Sequence, residues 1–292
     1  MRFRPAIAVL ALILMTGSCA MIRAMDPENG TLLPLPAAEK SFGGFSALEV
    51  STDGQRFSIL SDRGRFVEGR LLRDRTGALR GVHYDKAVWP GGDLTRRHRL
   101  DSEGLADLPD GRIALSTENR GLYMMDPDTF ALTRLPSPPD EATLRANRKY
   151  EALAAGPDGT LYTMPEKPSR AEGTLAPLWA FDGKGWRAVR QIPLSDHYLL
   201  AGADVGPDGA LYVLERSWLL TFRSRVRRFD LRHPEQPGTV VWKTDAYPLH
   251  NFEGLAVWQA PEGLRMTLVS DNNFLPELGQ SLLEVALPAP GA

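Results

Sequence analysis

An Asp-Gly or Glu-Gly turn between two apolar segments recurs along this chain at Asp53-Gly54, Asp110-Gly111, Asp158-Gly159, Asp208-Gly209 and Glu262-Gly263, spaced by 57, 48, 50 and 54 positions. A repeat of that length confines a chain to arrays of one supersecondary unit. Each pair follows a short apolar segment, at 45–50, 104–108, 152–155, 201–205 and 254–258. Each precedes a second apolar or alternating one, at 56–60, 112–116, 160–164, 210–214 and 264–270. Strand, Asp-Gly turn, strand is the pattern of a β-hairpin. In most units two more strand-like runs follow, such as 178–182 and 186–192 in the third. Four antiparallel strands per unit of about 50 residues predict an all-β fold, a single β-propeller with five legible blades. The stretch between Arg63 and Leu100 has room for a sixth. No segment keeps a helical period, which argues against an α/β enzyme fold. Residues 136–140 and 141–148 read as an inserted loop with one helical turn.

The fifth unit has one clear strand after its hairpin, Ser281–Ala286, while a spare β-like segment at 31–35 precedes the first unit. That segment is expected to complete the last blade, shut the ring and leave no sheet edge open. Domain organisation then reads as a leader at 1–24, a linker and closing strand at 25–40, the propeller at 41–287 and a tail at 288–292. In the leader, Arg2 and Arg4 precede an apolar run at 6–15 and the small-residue string Thr16-Gly17-Ser18-Cys19-Ala20. That is the layout of a secretory signal, and ten apolar residues fall short of a bilayer span. Two processing routes stay open. Gly17-Ser18-Cys19 fits the small positions of a lipobox, with Thr16 in place of the usual Leu, which would lipidate Cys19. Ordinary cleavage after Ala20 or Ala24 would discard it. Either route predicts an exported protein, periplasmic or lipid-anchored to the outer membrane. With one cysteine there is no internal disulfide and no Cys-based zinc site. The formal charge of −2 becomes −4 once Arg2 and Arg4 leave with the leader, so no global field attracts nucleic acid. A monomer is expected, touching a membrane only through an N-terminal lipid.

Aligning the units on their turns brings carboxylates into register. Seven residues upstream stand Ser46, Glu103, Glu151 and Ala201, with Glu253 in the same place once the longer fifth hairpin is allowed for. Seven to nine residues downstream stand Asp62, Glu118, Glu166, Glu215 and Asp271. The first strand of a propeller blade lines the central channel, and the end of its antiparallel partner lies beside its start. Both sets are therefore expected at one mouth of the channel, up to eight acids against Arg63, Arg120, Lys167 and Arg216. Crowded acids share protons or hold a cation. Oxygen donors without His or Cys favour Ca²⁺, with Mg²⁺ as the alternative, over zinc. Asn119, Asn272 and Asn273 would add neutral carbonyl oxygens. Alternatively, each Glu accepts backbone N–H bonds from the neighbouring blade and ties the repeat together.

Several strings together resemble the bacterial phytase-like domain family, also described as "esterase-like activity of phytase". They are Phe42-Gly43-Gly44-Phe45-Ser46-Ala47-Leu48, Ser61-Asp62-Arg63-Gly64, Asp101-Ser102-Glu103-Gly104-Leu105-Ala106, Asn251-Phe252-Glu253-Gly254-Leu255-Ala256 and Ser270-Asp271-Asn272-Asn273. The resemblance runs from about Ser41 to Leu287. It implies an exported β-propeller with acidic motifs on its channel face that hydrolyses phosphate or carboxylic esters. No Asp-Asp-Pro-Ala-Ile-Trp string and no dense Lys/Arg cluster is present, so the residues do not suit phytate itself.

Other chemistries lack their residues. Gly44-Phe45-Ser46-Ala47-Leu48 fails the last position of a nucleophile elbow. There is no phosphate-cradling Gly-Lys-Ser/Thr loop and no dinucleotide Gly-x-Gly-x-x-Gly. The five histidines have no metal-ligand spacing, and Arg97-His98-Arg99 lacks the glycine of a histidine-phosphatase motif. His250, three residues before Glu253, is expected to be a turn histidine. Three readings follow. In the first, several of Asp62, Glu103, Glu151, Glu253 and Asp271 bind Ca²⁺, and Glu118 or Glu166 acts as base. Arg63, Arg120, Asn272 and Asn273 would then hold a small ester or anionic substrate. In the second, the propeller is a non-catalytic envelope scaffold whose mouth grips a cationic ligand. In the third, it is a lactonase-type enzyme with the same acids.

Overall fold

The computed structural model describes residues 30–35, 42–92, 100–144, 149–167, 174–194, 197–218, 222–244, 250–275 and 278–288. The leader and Cys19, like Arg97-His98-Arg99, lie outside them. Twenty strands form five four-stranded antiparallel sheets. After β1 (Thr31–Pro34), the first sheet is β2 (Phe45–Val50), β3 (Arg56–Ser61), β4 (Phe66–Arg73) and β5 (Leu79–Val88). The second is β6 (Ser102–Asp107), β7 (Ile113–Thr117), β8 (Gly121–Met125) and β9 (Leu132–Arg134). The third is β10 (Tyr150–Ala155), β11 (Leu161–Pro165), β12 (Leu175–Phe181) and β13 (Trp186–Pro193). The fourth is β14 (Leu199–Val205), β15 (Ala210–Trp218), β16 (Phe222–Asp230) and β17 (Thr239–Thr244). The fifth joins β18 (Asn251–Ala260), β19 (Gly263–Asp271) and β20 (Ser281–Ala286) to β1, whose Thr31 faces Glu284.

Each first strand packs beside the next, and β18 lies against β2, so the five sheets stand in a ring. There is no sixth sheet among the described residues: β4 and β5 take up the stretch that had room for one. The only described helix is a 3₁₀ turn at Glu141–Thr143, inside the predicted insertion. The turn chemistry explains the repeat. In four hairpins the Asp side chain accepts the backbone N–H two residues on, at Gln55 (3.1 Å), Arg112 (3.0 Å), Thr160 (3.0 Å) and Ala210 (3.2 Å). The glycine beside it takes a positive φ that other side chains resist.

The core lies between the blades. Buried side chains fall into five clusters, one at each junction of neighbouring sheets. For example, Leu48, Phe57 and Leu79 of the first sheet meet Ala256, Trp258 and Leu282 of the fifth. Ala152, Met164 and Leu178 of the third likewise meet Leu200, Val213 and Phe229 of the fourth. Alternating apolar residues on every strand thus pack against both neighbours, as radial sheets require.

Candidate functional site

All five inner strands carry a β-bulge at the same place, at Ser46, Glu103, Glu151, Ala201 and Glu253. A bulge sets two residues against one and re-aims a side chain. The residue just before each bulge pairs with Ser61, Thr117, Pro165, Glu215 and Ser270 on the second strand. Position for position, the next residues form a second ring: Asp62, Glu118, Glu166, Arg216 and Asp271. This register corrects the expected set. Glu215 lies one residue short, fully buried, and pairs with Arg225 and with Arg227 (Nε 2.9 Å). Arg216 stands where the other blades have acids.

At the ring the axis is nearly closed. The void lined by Ser46, Glu103, Glu151 and Glu253 holds about 10 Å³, the room of a single water. Small residues after the bulge make that approach possible. A Cβ on Gly202 would stand 2.5 Å from the Glu253 carbonyl oxygen, and one on Gly254 would stand 2.7 Å from Leu48 N.

Arg216 organises one side of the mouth. Its guanidinium pairs with Glu253, reaches Glu151 Oε2 at 3.3 Å and Glu166 Oε1 at 3.6 Å, and donates to Asn251 Oδ1 at 3.3 Å. Asn251 Nδ2 in turn donates to Glu253 Oε1 (2.6 Å). On the other side, Asp101, Glu103 and Glu118 bring one carboxylate oxygen each within 4.8 Å of one another. Asp101 was not among the predicted residues. It sits two residues before the ring position with φ 52°, a strained conformation for a non-glycine residue, and it accepts from Asn119 Nδ2 (2.8 Å). Its signal lay in the string Asp101-Ser102-Glu103-Gly104, read for its glutamate alone.

Eight carboxylates therefore share this mouth with one central arginine. Burial is the main force on their protons. It holds Glu103 well above the usual carboxylate range, with Glu151 and Glu253 adding repulsion. Burial likewise raises Glu151 and Glu253, against the pull of Arg216, and raises Asp271, where Glu253 and Asp62 add to it. Asp62 is pushed up to about 7 by burial and the Glu253 charge, and Glu118 to about 7 by burial and its contact with Asp101. Two buried oxygens, Ser46 Oγ and Asp62 Oδ1, have no hydrogen-bond partner.

The other predicted residues lie around this centre. Arg63 stacks its guanidinium on Phe274, 3.3 Å from the ring centroid, and Arg120 is exposed at the rim. Asn272 is committed to the backbone, its Oδ1 accepting from Gly44 N (3.1 Å) and Phe274 N (3.0 Å). Asn273 is exposed, and its N–H donates to Asp271 Oδ1 (2.7 Å). His250, directly before β18, packs on Phe252 beside Gly279, and burial lowers its pKa.

Residues 40–274 match the family model "Phytase-like: Esterase-like activity of phytase". No curated protein matches the sequence. Among solved structures, the major Malassezia sympodialis allergen Mala s 1 is 13% identical with a TM-score of 0.50, covering 87% of this chain and 81% of its own. A luciferin-regenerating enzyme is 10% identical with a TM-score of 0.49, covering 88% and 95%. Virginiamycin B lyase from Staphylococcus aureus is 13% identical with a TM-score of 0.41, covering 90% and 75%. At 13% identity the likeness to the allergen is one of fold alone.

Proposed function

The chain belongs to the phytase-like family, and on that premise we propose that it is an exported, divalent-cation-dependent hydrolase of phosphate or carboxylic esters acting at the acidic mouth. The observation that carries this reading is the excess of acids over cations: eight buried or half-buried carboxylates share the mouth with Arg216, which pairs with three of them. The mouth suits a hard cation. Every donor is an oxygen, three carboxylates lie within 4.8 Å, and Asp62 Oδ1 is buried without a partner. Irregular oxygen sets of this kind favour Ca²⁺, with Mg²⁺ the alternative.

In this reading Asp101, Glu103 and Glu118 hold the cation. Its chemical contribution is Lewis-acid polarisation of an ester oxygen. The sector of Glu151, Glu166 and Glu253 is already paired with Arg216 and serves to keep that arginine fixed. The general base passes from Glu118 and Glu166 to Asp62, whose free oxygen lies outside both groups. Arg63 and Arg120, flanking the acids, orient an anionic substrate through charge-assisted hydrogen bonds. Export rests on Arg2, Arg4 and the apolar run at 6–15, and mass spectrometry of the mature N-terminus tests it together with Cys19 acylation.

The test combines calorimetric Ca²⁺ titration with hydrolysis of phenyl phosphate, phenyl acetate and an aliphatic lactone. Asp101→Asn and Glu103→Gln are expected to weaken Ca²⁺ binding and to slow turnover by about 10- to 100-fold or more. Wild-type protein that neither binds Ca²⁺ or Mg²⁺ nor turns over any of these esters overturns the reading.

A further inference from the structure

Between the outer strands of the first two blades lies a cavity of about 570 Å³, whose lining residues Leu100 and Arg120 belong to the chain segments that carry the carboxylate triad. That volume is in the range of small-molecule sites. Its walls are apolar and aromatic: Trp89, Leu100, Tyr123, Phe130 and Leu132, with Arg120 as its charged group. Two of these residues connect it to the mouth. Leu100 directly precedes Asp101, and Arg120 follows Asn119, whose amide is bonded to Asp101. Phe130, on the far wall, is held at φ 57° with its carbonyl accepting from Gly91 N (2.8 Å). Lys86 Nζ sits 4.3 Å from the Phe130 ring centroid and is paired with Glu68. Among the described residues, the lining offers one cation, Arg120, beside an apolar wall. It matches an anionic head attached to a ring.

We infer that this cavity receives the aromatic or bulky apolar group of the ester, with Arg120 on its anionic end and the scissile bond facing Asp101, Glu103 and Glu118. The substrate class is then an aryl or hydrophobic monoester. The inference rests on the hydrolase reading for its orientation, and on the cavity alone for its affinity. Burying a phenyl ring in place of a methyl group removes on the order of 100 Å² of apolar surface from water, enough for at least about tenfold tighter binding.

Binding of phenylphosphonate and methylphosphonate, which lack a cleavable ester, is compared by calorimetry on the full-length mature protein in Ca²⁺ buffer, with the tryptophan fluorescence change that is lost in Trp89→Phe as a second readout. Phenylphosphonate is expected to bind at least about tenfold tighter. Tyr123→Ala should erase that preference. So should Ala131→Trp, at an exposed position of the cavity lining where the core is undisturbed. Arg120→Gln should weaken both ligands by about three- to tenfold and leave the preference intact. Equal binding of the two phosphonates, or a preference that survives both lining variants, overturns the inference whether or not esters are hydrolysed. A preference that behaves as expected without turnover of phenyl phosphate or phenyl acetate leaves the cavity assigned and removes the hydrolase reading instead.

Discussion

Arg216 is the residue on which the mouth depends. Its side chain is 23% exposed and faces three acids, two of them with oxygens at 3.3 and 3.6 Å. The crowd of acids raises its own pKa despite the cost of burial. Removing one partner of such a group leaves the others uncompensated, which costs about 3–5 kcal/mol. Arg216→Gln is therefore expected to lower Tm by roughly 6–12 °C at neutral pH in chelator. Ca²⁺ should then recover more of that loss than it adds to the wild-type protein, because three acids lose their resident counter-charge. Differential scanning fluorimetry with and without Ca²⁺ reads both effects. An unchanged Tm with an unchanged Ca²⁺ response would deny Arg216 its role. The sequence made this residue visible as one of four cations near the mouth, but not as its centre. Adjacent residues on a strand point to opposite faces, so a slip of one position exchanges Glu215 for Arg216. Counting from the turn cannot resolve that slip when the hairpins differ in length.

At the scale of elements the hairpins were plain in the sequence, because Asp-Gly turns and apolar alternation mark them locally. The predicted β2 and β20 agree with the structure to the residue, and the other inner and second strands shift by a few positions at their ends. The five bulges left no compositional mark, since a bulge is a fact of pairing between two strands. They nonetheless explain the recurrent Glu-Gly-Leu-Ala string: the bulge turns the Glu to the axis, and the small residue after it admits the neighbouring blade. A second device of elements also escaped sequence reading. Glu284 on β20, 1% exposed, receives Arg73 of β4 through two hydrogen bonds (2.9 and 2.7 Å) and Arg265 of β19 (3.1 Å). Arg73 also lies over the Trp258 ring, 4.5 Å from its centroid. This joins the first blade to the last through side chains, independently of the strand β1. Glu284→Gln should cost about 3 kcal/mol, visible as a lower urea midpoint with an unchanged m-value. Wild-type stability in that variant would leave the junction to apolar packing alone.

For the whole ring, the acids occupy both ends of the inner strands. Three to four residues beyond the mouth positions stand Glu49, Asp107 and Asp204. Glu49 is raised by burial and by the two aspartates, and Asp204 is pushed up to about 7 by burial although Val257 N donates to it (2.6 Å). Asp62 and Glu118 lie near 7 at the opposite end. A carboxyl with a raised folded pKa binds its proton more tightly in the native state than in the unfolded chain. Stability is then fully present below about pH 4 and is lost as pH climbs towards 7, where the native protons finally leave. The metal-free protein should accordingly lose Tm from pH 5 to pH 7.5. The carboxyls with lowered pKa, Asp74 and Asp230, leave this slope unchanged, because they are ionised in both the folded and the unfolded state above about pH 5. Asp204→Asn removes one of the charges at the end away from the mouth while keeping an oxygen for Val257 N. Its Tm should fall less steeply over the same range, a difference on the order of 1–3 kcal/mol by pH 7.5. Ca²⁺ should flatten the wild-type slope by stabilising the ionised mouth, and should flatten the Asp204→Asn slope by the same amount, because the two ends are separate. A Tm that rises from pH 5 to 7.5 in chelator would contradict the inverted charge balance of the ring, and a Ca²⁺ effect lost in Asp204→Asn would move the cation to the opposite end of the channel.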